Sequence, residues 1–227
     1  MIVFPLAAAL VALVFAGMLA GQYAQRRRPF QILWSLALVM YAGASFALFL
    51  GEIGGWSTAE FRTYWLLGAI LNVPFLAMGE LYLLIPRQGI AHALFVLLLV
   101  GTAVAVATVR TAAMDTTFLA HDLPLGKEVF GDGTPAHRFA ALYTFPAYFL
   151  LLGGTLWSAL RIRGIEAMRD RFLGTLLIAG GATIVAIGSG VGAGLLKSFV
   201  VISLALLAGM VVMFLGFLRA GRRPPVG

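Results

Sequence analysis

Residues 2–23 read IVFPLAAALVALVFAGMLAGQY, and residues 24–29, directly behind them, read AQRRRP. An uncharged stretch of this length is enough to cross the hydrocarbon of a bilayer, which takes about 20 residues. A cleaved secretion signal carries its basic residues ahead of its apolar region, whereas here Arg26, Arg27 and Arg28 come after it. The stretch therefore reads as an uncleaved anchor with its N-terminus outside and its arginines inside.

Six more apolar runs follow, at 32–50, 64–85, 90–109, 139–160, 172–188 and 199–218. The expected fold is all-α: a polytopic membrane protein, one seven-transmembrane-helix bundle over residues 1–223, N-terminus out and C-terminus in, with a short tail at 224–227. Composition points the same way. The 227 residues are 61% hydrophobic and 11% charged, with a mean hydropathy of +0.99, against about 25% charged residues in soluble domains. Seven crossings leave no room for a second folded domain. The connection 110–138 is the only one long enough to have a shape of its own, and Pro124, Gly126, Gly131, Gly133 and Pro135 favour turns within it.

Charge supplies the direction. On this layout eleven of the 16 Lys and Arg residues lie inside, and Arg62, Arg110, Lys127, Arg138 and Lys197 lie outside. Six of the nine acids run the other way: Glu52, Glu60, Asp115, Asp122, Glu128 and Asp132. The net charge of +7 is thus a topology signal. Arginines scattered over membrane-proximal loops, without interleaved aromatic residues, fit anionic lipid headgroups and argue against nucleic acid. With no cysteine in the chain, disulfides, thiolate metal sites and cysteine catalysis are excluded.

Few polar groups remain to carry function. Glu80 is the only acid well inside a run, four to five residues from the inner end of the third, so roughly 7 Å deep at the helical rise of about 1.5 Å per residue. Two readings stay open for it: pairing with Arg87, Arg27 or Arg28, or a proton- or substrate-linked carboxylate. Asn72 and Pro74 lie near the middle of the same run, where Pro74 frees a backbone carbonyl near residue 70 and introduces a kink. Tyr41 and Ser45 on the second run sit at similar depth. They would either line a polar pocket with Asn72 or bond between helices as glue. Pro146, with Tyr143, Thr144 and Tyr148 beside it, offers another wall on the fifth run.

The sixth run is rich in glycine, and Gly188 with Gly192, and Gly190 with Gly194, have the four-residue spacing that lets helices approach closely. Residues 189–194 read as a glycine-rich turn, and Gly190 as a hinge within it. Of the three histidines, His121 and His137 lie in the outer loop near Asp122 and Asp132 without fixed ligand spacing, so no metal site is assigned. His92 stands at the inner mouth of the fourth run.

Several functions fall away. Lys197 lies at the outer start of the seventh run, too shallow for a retinal Schiff base. No histidine lies inside a run to ligate haem, to activate Ser189 as a nucleophile, or to build a metalloprotease site. No self-similarity between halves marks an inverted-repeat transporter.

The stretch from Tyr64 through Asn72, Val73 and Pro74, on to Gly79 and Tyr82-Leu83-Leu84, resembles a family of uncharacterised seven-helix membrane proteins found mainly in actinobacteria and related bacteria. Leu123-Pro124 and Gly126-Lys127-Glu128-Val129 of the long loop fit it as well. The resemblance covers nearly the whole chain and implies no activity. It implies a small or hydroxyl residue at position 80, from which Glu80 departs. More distantly, the layout, with Trp34 on the second run and the descent from Phe61 to Leu84, is similar to the membrane sensor region that precedes some bacterial histidine kinases. The expected function is therefore that of a bacterial multi-pass plasma-membrane protein of sensor, receptor-like or accessory type. It is expected to have no enzymatic activity and no cofactor, with the lipid bilayer and either a protein partner or a second copy as its contacts. The alternative is a small-solute or ion transporter using Glu80.

Overall fold

The computed structural model describes residues 2–120 and 123–221. The readings that involve His121, Asp122, Arg222, Arg223 and the tail 224–227 lie outside the described residues. Seven long helices account for nearly all of the rest: α1 (Val3–Arg26), α2 (Pro29–Gly54), α3 (Thr58–Leu84), α4 (Gln88–Thr111), α5 (Pro135–Arg161), α6 (Arg169–Gly194) and α7 (Phe199–Ala220). All seven are long and apolar enough to cross a membrane, and no strand occurs among the described residues.

The helices begin and end where local chemistry dictates. α1 stops at Arg27, whose left-handed backbone (φ 51°) lets its N–H donate to the Tyr23 carbonyl at 2.8 Å. Pro29 and Pro135 each open a helix at the first position, where a missing N–H costs nothing. α3 starts six residues earlier than its apolar run because Ser57 and Glu60 form a capping box. The Ser57 hydroxyl accepts from the Glu60 N–H at 3.2 Å, and the Glu60 carboxylate accepts from the Ser57 N–H at 2.8 Å. Each apolar run is extended in this way by polar flanks, so the long connection shrinks from the expected 110–138 to 112–134.

One boundary is corrected outright. Residues 189–194, expected to form a turn, continue α6 to Gly194. The chain reverses instead over 195–198, where Lys197 takes a left-handed conformation (φ 44°) and the Ser198 hydroxyl caps α7. Gly188 and Gly192 stay helical because α7 presses on them: a Cβ on Gly192 would sit 2.5 Å from the Ile202 side chain, and one on Gly188 would collide with Ala205. Gly190 and Gly194 have nothing within 4 Å, so half of the expected glycine pairs are packing sites. Lower on the seam the glycines meet backbone. A Cβ on Gly181 would stand 2.5 Å from the Gly209 carbonyl, and one on Gly174 2.5 Å from the Gly216 carbonyl. On α6 the seam follows a seven-residue spacing, with Gly174, Gly181 and Gly188 facing Gly216, Gly209 and Ala205 of α7.

Six helices close a ring in the order α1, α2, α3, α5, α6, α7 and back to α1, while α4 packs outside it against α3 and α5. Tyr143 of α5 fastens α4, donating to the Leu98 carbonyl at 2.9 Å across a gap kept open by Gly101. Residues 112–120 and 123–134 fold over one end of the ring as a cap. Leu119, Leu123, Leu125, Val129 and Phe130 are buried there against Phe61, Ile70 and Val109. The cap is closed by the Asp115 N–H donating to the Val129 carbonyl, and Asp115 is held below the usual carboxylate range by hydrogen bonds from the Thr117 hydroxyl and N–H. Arg62 donates to the carbonyls of Val109 and Ala112 at the C-terminal end of α4, where the helix dipole favours a cation. The opposite end of the bundle carries the arginine-bearing turns.

Candidate functional site

The site starts from a defect in α3. Between regular helical stretches at Thr58–Tyr64 and Asn72–Leu84, residues Trp65–Leu71 form a π-helix, so that the Asn72 N–H reaches back five residues to the Leu67 carbonyl. In that register the donor owed to the Ala69 carbonyl belongs to residue 74, and Pro74 has none. The Thr144 hydroxyl of α5 supplies it, at 2.6 Å. The kink expected at Pro74 is thus realised as a π-helical segment just ahead of it, and the freed carbonyl is satisfied across the bundle.

The wider turn faces Asn72 into the ring. Its Nδ2 donates to the Ala37 carbonyl of α2 at 2.6 Å, and its Oδ1 receives no hydrogen bond from any described residue. Two tyrosines stand nearby. Tyr41 of α2 donates to the Leu206 carbonyl of α7 at 2.8 Å, with the Ser45 side chain beside its hydroxyl. Tyr148 of α5 donates to Thr183 Oγ1 of α6 at 3.1 Å, and Thr183 passes its own proton to the Ala179 carbonyl. Tyr41, Asn72, Thr144, Tyr148 and Ser189 share the wall of one cavity of about 380 Å³, within the ordinary range for small-molecule sites. The rest of its lining is apolar. Ser45 is buried but stands behind this wall, and α5 runs unbroken past Pro146.

A separate, smaller cavity of about 20 Å³ shares Leu38, Tyr148 and Leu151 with it and is also bounded by Trp34 and Thr155. Beyond it lies Glu80, 3% exposed. Its carboxylate accepts from the Ser158 hydroxyl at 3.1 Å and lies against Gly154, where a Cβ would come within 2.7 Å of Glu80 Cγ. The expected pairing with Arg87, Arg27 or Arg28 does not occur. Among the described residues the ion pairs are His137 with Asp132, Lys197 with Glu128 and Arg219 with Asp170. α3 turns Glu80 toward α5, where glycine makes room, and away from the arginine-bearing turns.

Thr144, Tyr148, Thr155 and Ser158 therefore form one polar stripe along α5, running from the π-helical segment to Glu80. Thr155 and Ser158 were not singled out from the sequence. Thr155 lies seven residues after Tyr148 and Ser158 three after Thr155, which keeps both near the helix face of Thr144 and Tyr148, and that was the available signal. The described residues contain no group of three or more His, Asp or Glu able to hold a metal ion. His137 stacks on Trp65, and His92 meets its own helix at the Gln88 carbonyl.

If the Thr144 hydroxyl holds the π-helical segment, Thr144→Val should leave the Ala69 carbonyl bare and cost about 1–3 kcal/mol, while Thr144→Ser should retain most of the stability. Thermal unfolding in lipid nanodiscs reads both. A valine variant as stable as the parent would show that the segment holds its shape without this bond.

Fold and site define a class: an all-helical bundle whose seven helices are each long and apolar enough to span a membrane, closed around a central cavity with a neutral polar wall. No known protein-family model, curated protein or solved structure matches the chain.

Proposed function

We propose that this is a multi-pass plasma-membrane protein of receptor-like or accessory type that binds a small molecule in the cavity between α2, α3, α5, α6 and α7. The observation that carries the reading is the cavity itself, in which one unpartnered amide oxygen and several hydroxyls converge on an otherwise apolar space. Sites of this composition fix orientation with few polar contacts and take affinity from apolar burial. Native mass spectrometry of protein released gently from its own membrane tests it. A retained small molecule that Tyr148→Ala loses is the expected result; a bare particle under conditions that keep bound lipids argues against the reading.

Membrane residence is supported by the bundle surface, where large apolar side chains such as Leu97, Val100, Leu142 and Phe149 point outward along the long helices. The arginine bias supports an orientation with the cap outside and the arginine-bearing turns inside. Because the chain has no cysteine, single cysteines at Ser57 and Thr134 test this. They should react with an impermeant maleimide on intact cells, and labelling only after lysis would reverse the orientation.

One observation favours the transporter alternative: Glu80 is a buried carboxylate with no cation beside it among the described residues, at the far end of the polar stripe that begins in the cavity. The two readings part at Glu80→Gln. We expect the variant to keep its ligand and to change only in stability. Proton-coupled flux in liposomes that this substitution abolishes would establish the transporter instead.

A further inference from the structure

The hydrogen-bonding inventory of the cavity, together with its mouth, narrows what it can hold. The protons of Tyr41, Thr144 and Tyr148 are all committed to protein acceptors, namely the Leu206 carbonyl, the Ala69 carbonyl and Thr183 Oγ1. What these three offer an occupant is oxygen lone pairs. Asn72 adds Oδ1, an acceptor only, on a residue 6% exposed whose amide nitrogen is already used on Ala37. Ser189 is the one lining hydroxyl without a described partner, and it can donate as well as accept. An occupant must therefore bring a donor, and is helped by carrying an acceptor too.

Charge is disfavoured. Among the described residues no Asp, Glu, Lys, Arg or His lines the cavity, so an ammonium would lie unpaired in an apolar space and a carboxylate would face lone pairs, both costly. A neutral hydroxyl meets both requirements. The mouth says where the occupant comes from. Phe145 and Phe149 of α5 and Ile187 of α6 belong to the cavity wall yet are 62%, 66% and 60% exposed on the side of the bundle. An opening rimmed by exposed aromatic and aliphatic side chains on a membrane-spanning surface leads into lipid rather than water.

We infer that the cavity binds a neutral, single-chain amphiphile headed by a hydroxyl group, which enters sideways from the bilayer between α5 and α6 and donates its proton to Asn72 Oδ1. The inference rests on the reading of the cavity as a ligand site. Its test uses decanol and its isomer methyl nonyl ether, which match in composition and differ in the donor. Binding of each to the purified protein in nanodiscs is measured by competition against a photoreactive decanol analogue, with crosslinks mapped by mass spectrometry.

Decanol should compete at least about tenfold better than the ether, because the ether leaves the buried acceptor unpaired. Asn72→Leu should bring the two to within about twofold of each other. Ala186→Phe, which fills the mouth and leaves every polar group in place, should weaken both. Crosslinks should fall on α5 and α6 near Phe149 and Ile187. Equal competition by alcohol and ether in the unmodified protein would overturn the donor requirement while leaving the cavity a binding site. Failure of both to bind would overturn the cavity reading itself. The decisive comparison is between two ligands on the parent protein, so it stands even where Asn72→Leu does not fold.

Discussion

Gly209→Ala should destabilise the protein by about 2–3 kcal/mol, toward the upper end of what overpacking ordinarily costs. The added methyl would lie 2.6 Å from the Gly181 carbonyl oxygen and 2.5 Å from Val185 Cγ2. The first of these is backbone and cannot swing aside, so α6 and α7 must move apart along their length, loosening the matching Gly174–Gly216 contact. The same change at Gly190 should be neutral or stabilise by up to about 1 kcal/mol, because nothing stands within 4 Å of that position and alanine is the better helix former. Unfolding midpoints in mild detergent compare the two directly. Equal midpoints would show that the seam is not closely packed, and a marked loss at Gly190 would restore a hinge there.

Phe61→Ala is expected to cost about 3–5 kcal/mol, as removal of a buried aromatic ring usually does. Phe61 is fully buried, and its ring packs against Trp56, Trp65 and Phe130 at centroid distances of 5.8, 6.2 and 5.6 Å. Phe130 belongs to the cap, so the cavity left by the ring opens beneath the cap. The cap should detach before the helices separate, since the α6–α7 seam and the α1–α2 contact lie elsewhere. Limited trypsin digestion should cut after Lys127 in the variant under conditions that leave the parent intact, and Phe61→Leu should recover most of the protection. An uncut Lys127 in Phe61→Ala would mean that the cap is held independently of this cluster.

The number of long helices was legible because, Glu80 apart, the apolar runs are unbroken by charge, as spanning lipid demands whatever the fold. Their ends were less legible. Ser57 and Glu60 form a recognisable capping signal, but hydropathy alone starts the helix at Tyr64. The glycines of α6 mislead for a different reason: the residues that make a turn in water are the same ones that let two helices touch, and only the position of α7 decides between them. For the candidate site, depth grouped Tyr41 and Ser45 with Asn72 and set Tyr148 on a second wall; Tyr41, Asn72 and Tyr148 line one cavity, and Ser45 stands behind it. Depth gave no rotation for Glu80, so the nearest arginines were the natural partners. The π-helical segment ahead of Pro74 shifts the helix face between Asn72 and the residues that precede it, which no regular periodicity anticipates.

The tight α6–α7 pair has a consequence for how the protein is made. Ala182, Val185 and Ser189 from α6, with Met210 and Met213 from α7, supply one side of the cavity, and both helices are translated after every other wall. Until they arrive, Asn72 and Tyr148 face an open trough. A nascent chain of five helices therefore encloses nothing, and no occupant can act as a template for the early steps of assembly. On the proposed reading an occupant meets a finished protein, and by binding the folded state alone it adds to that state's stability.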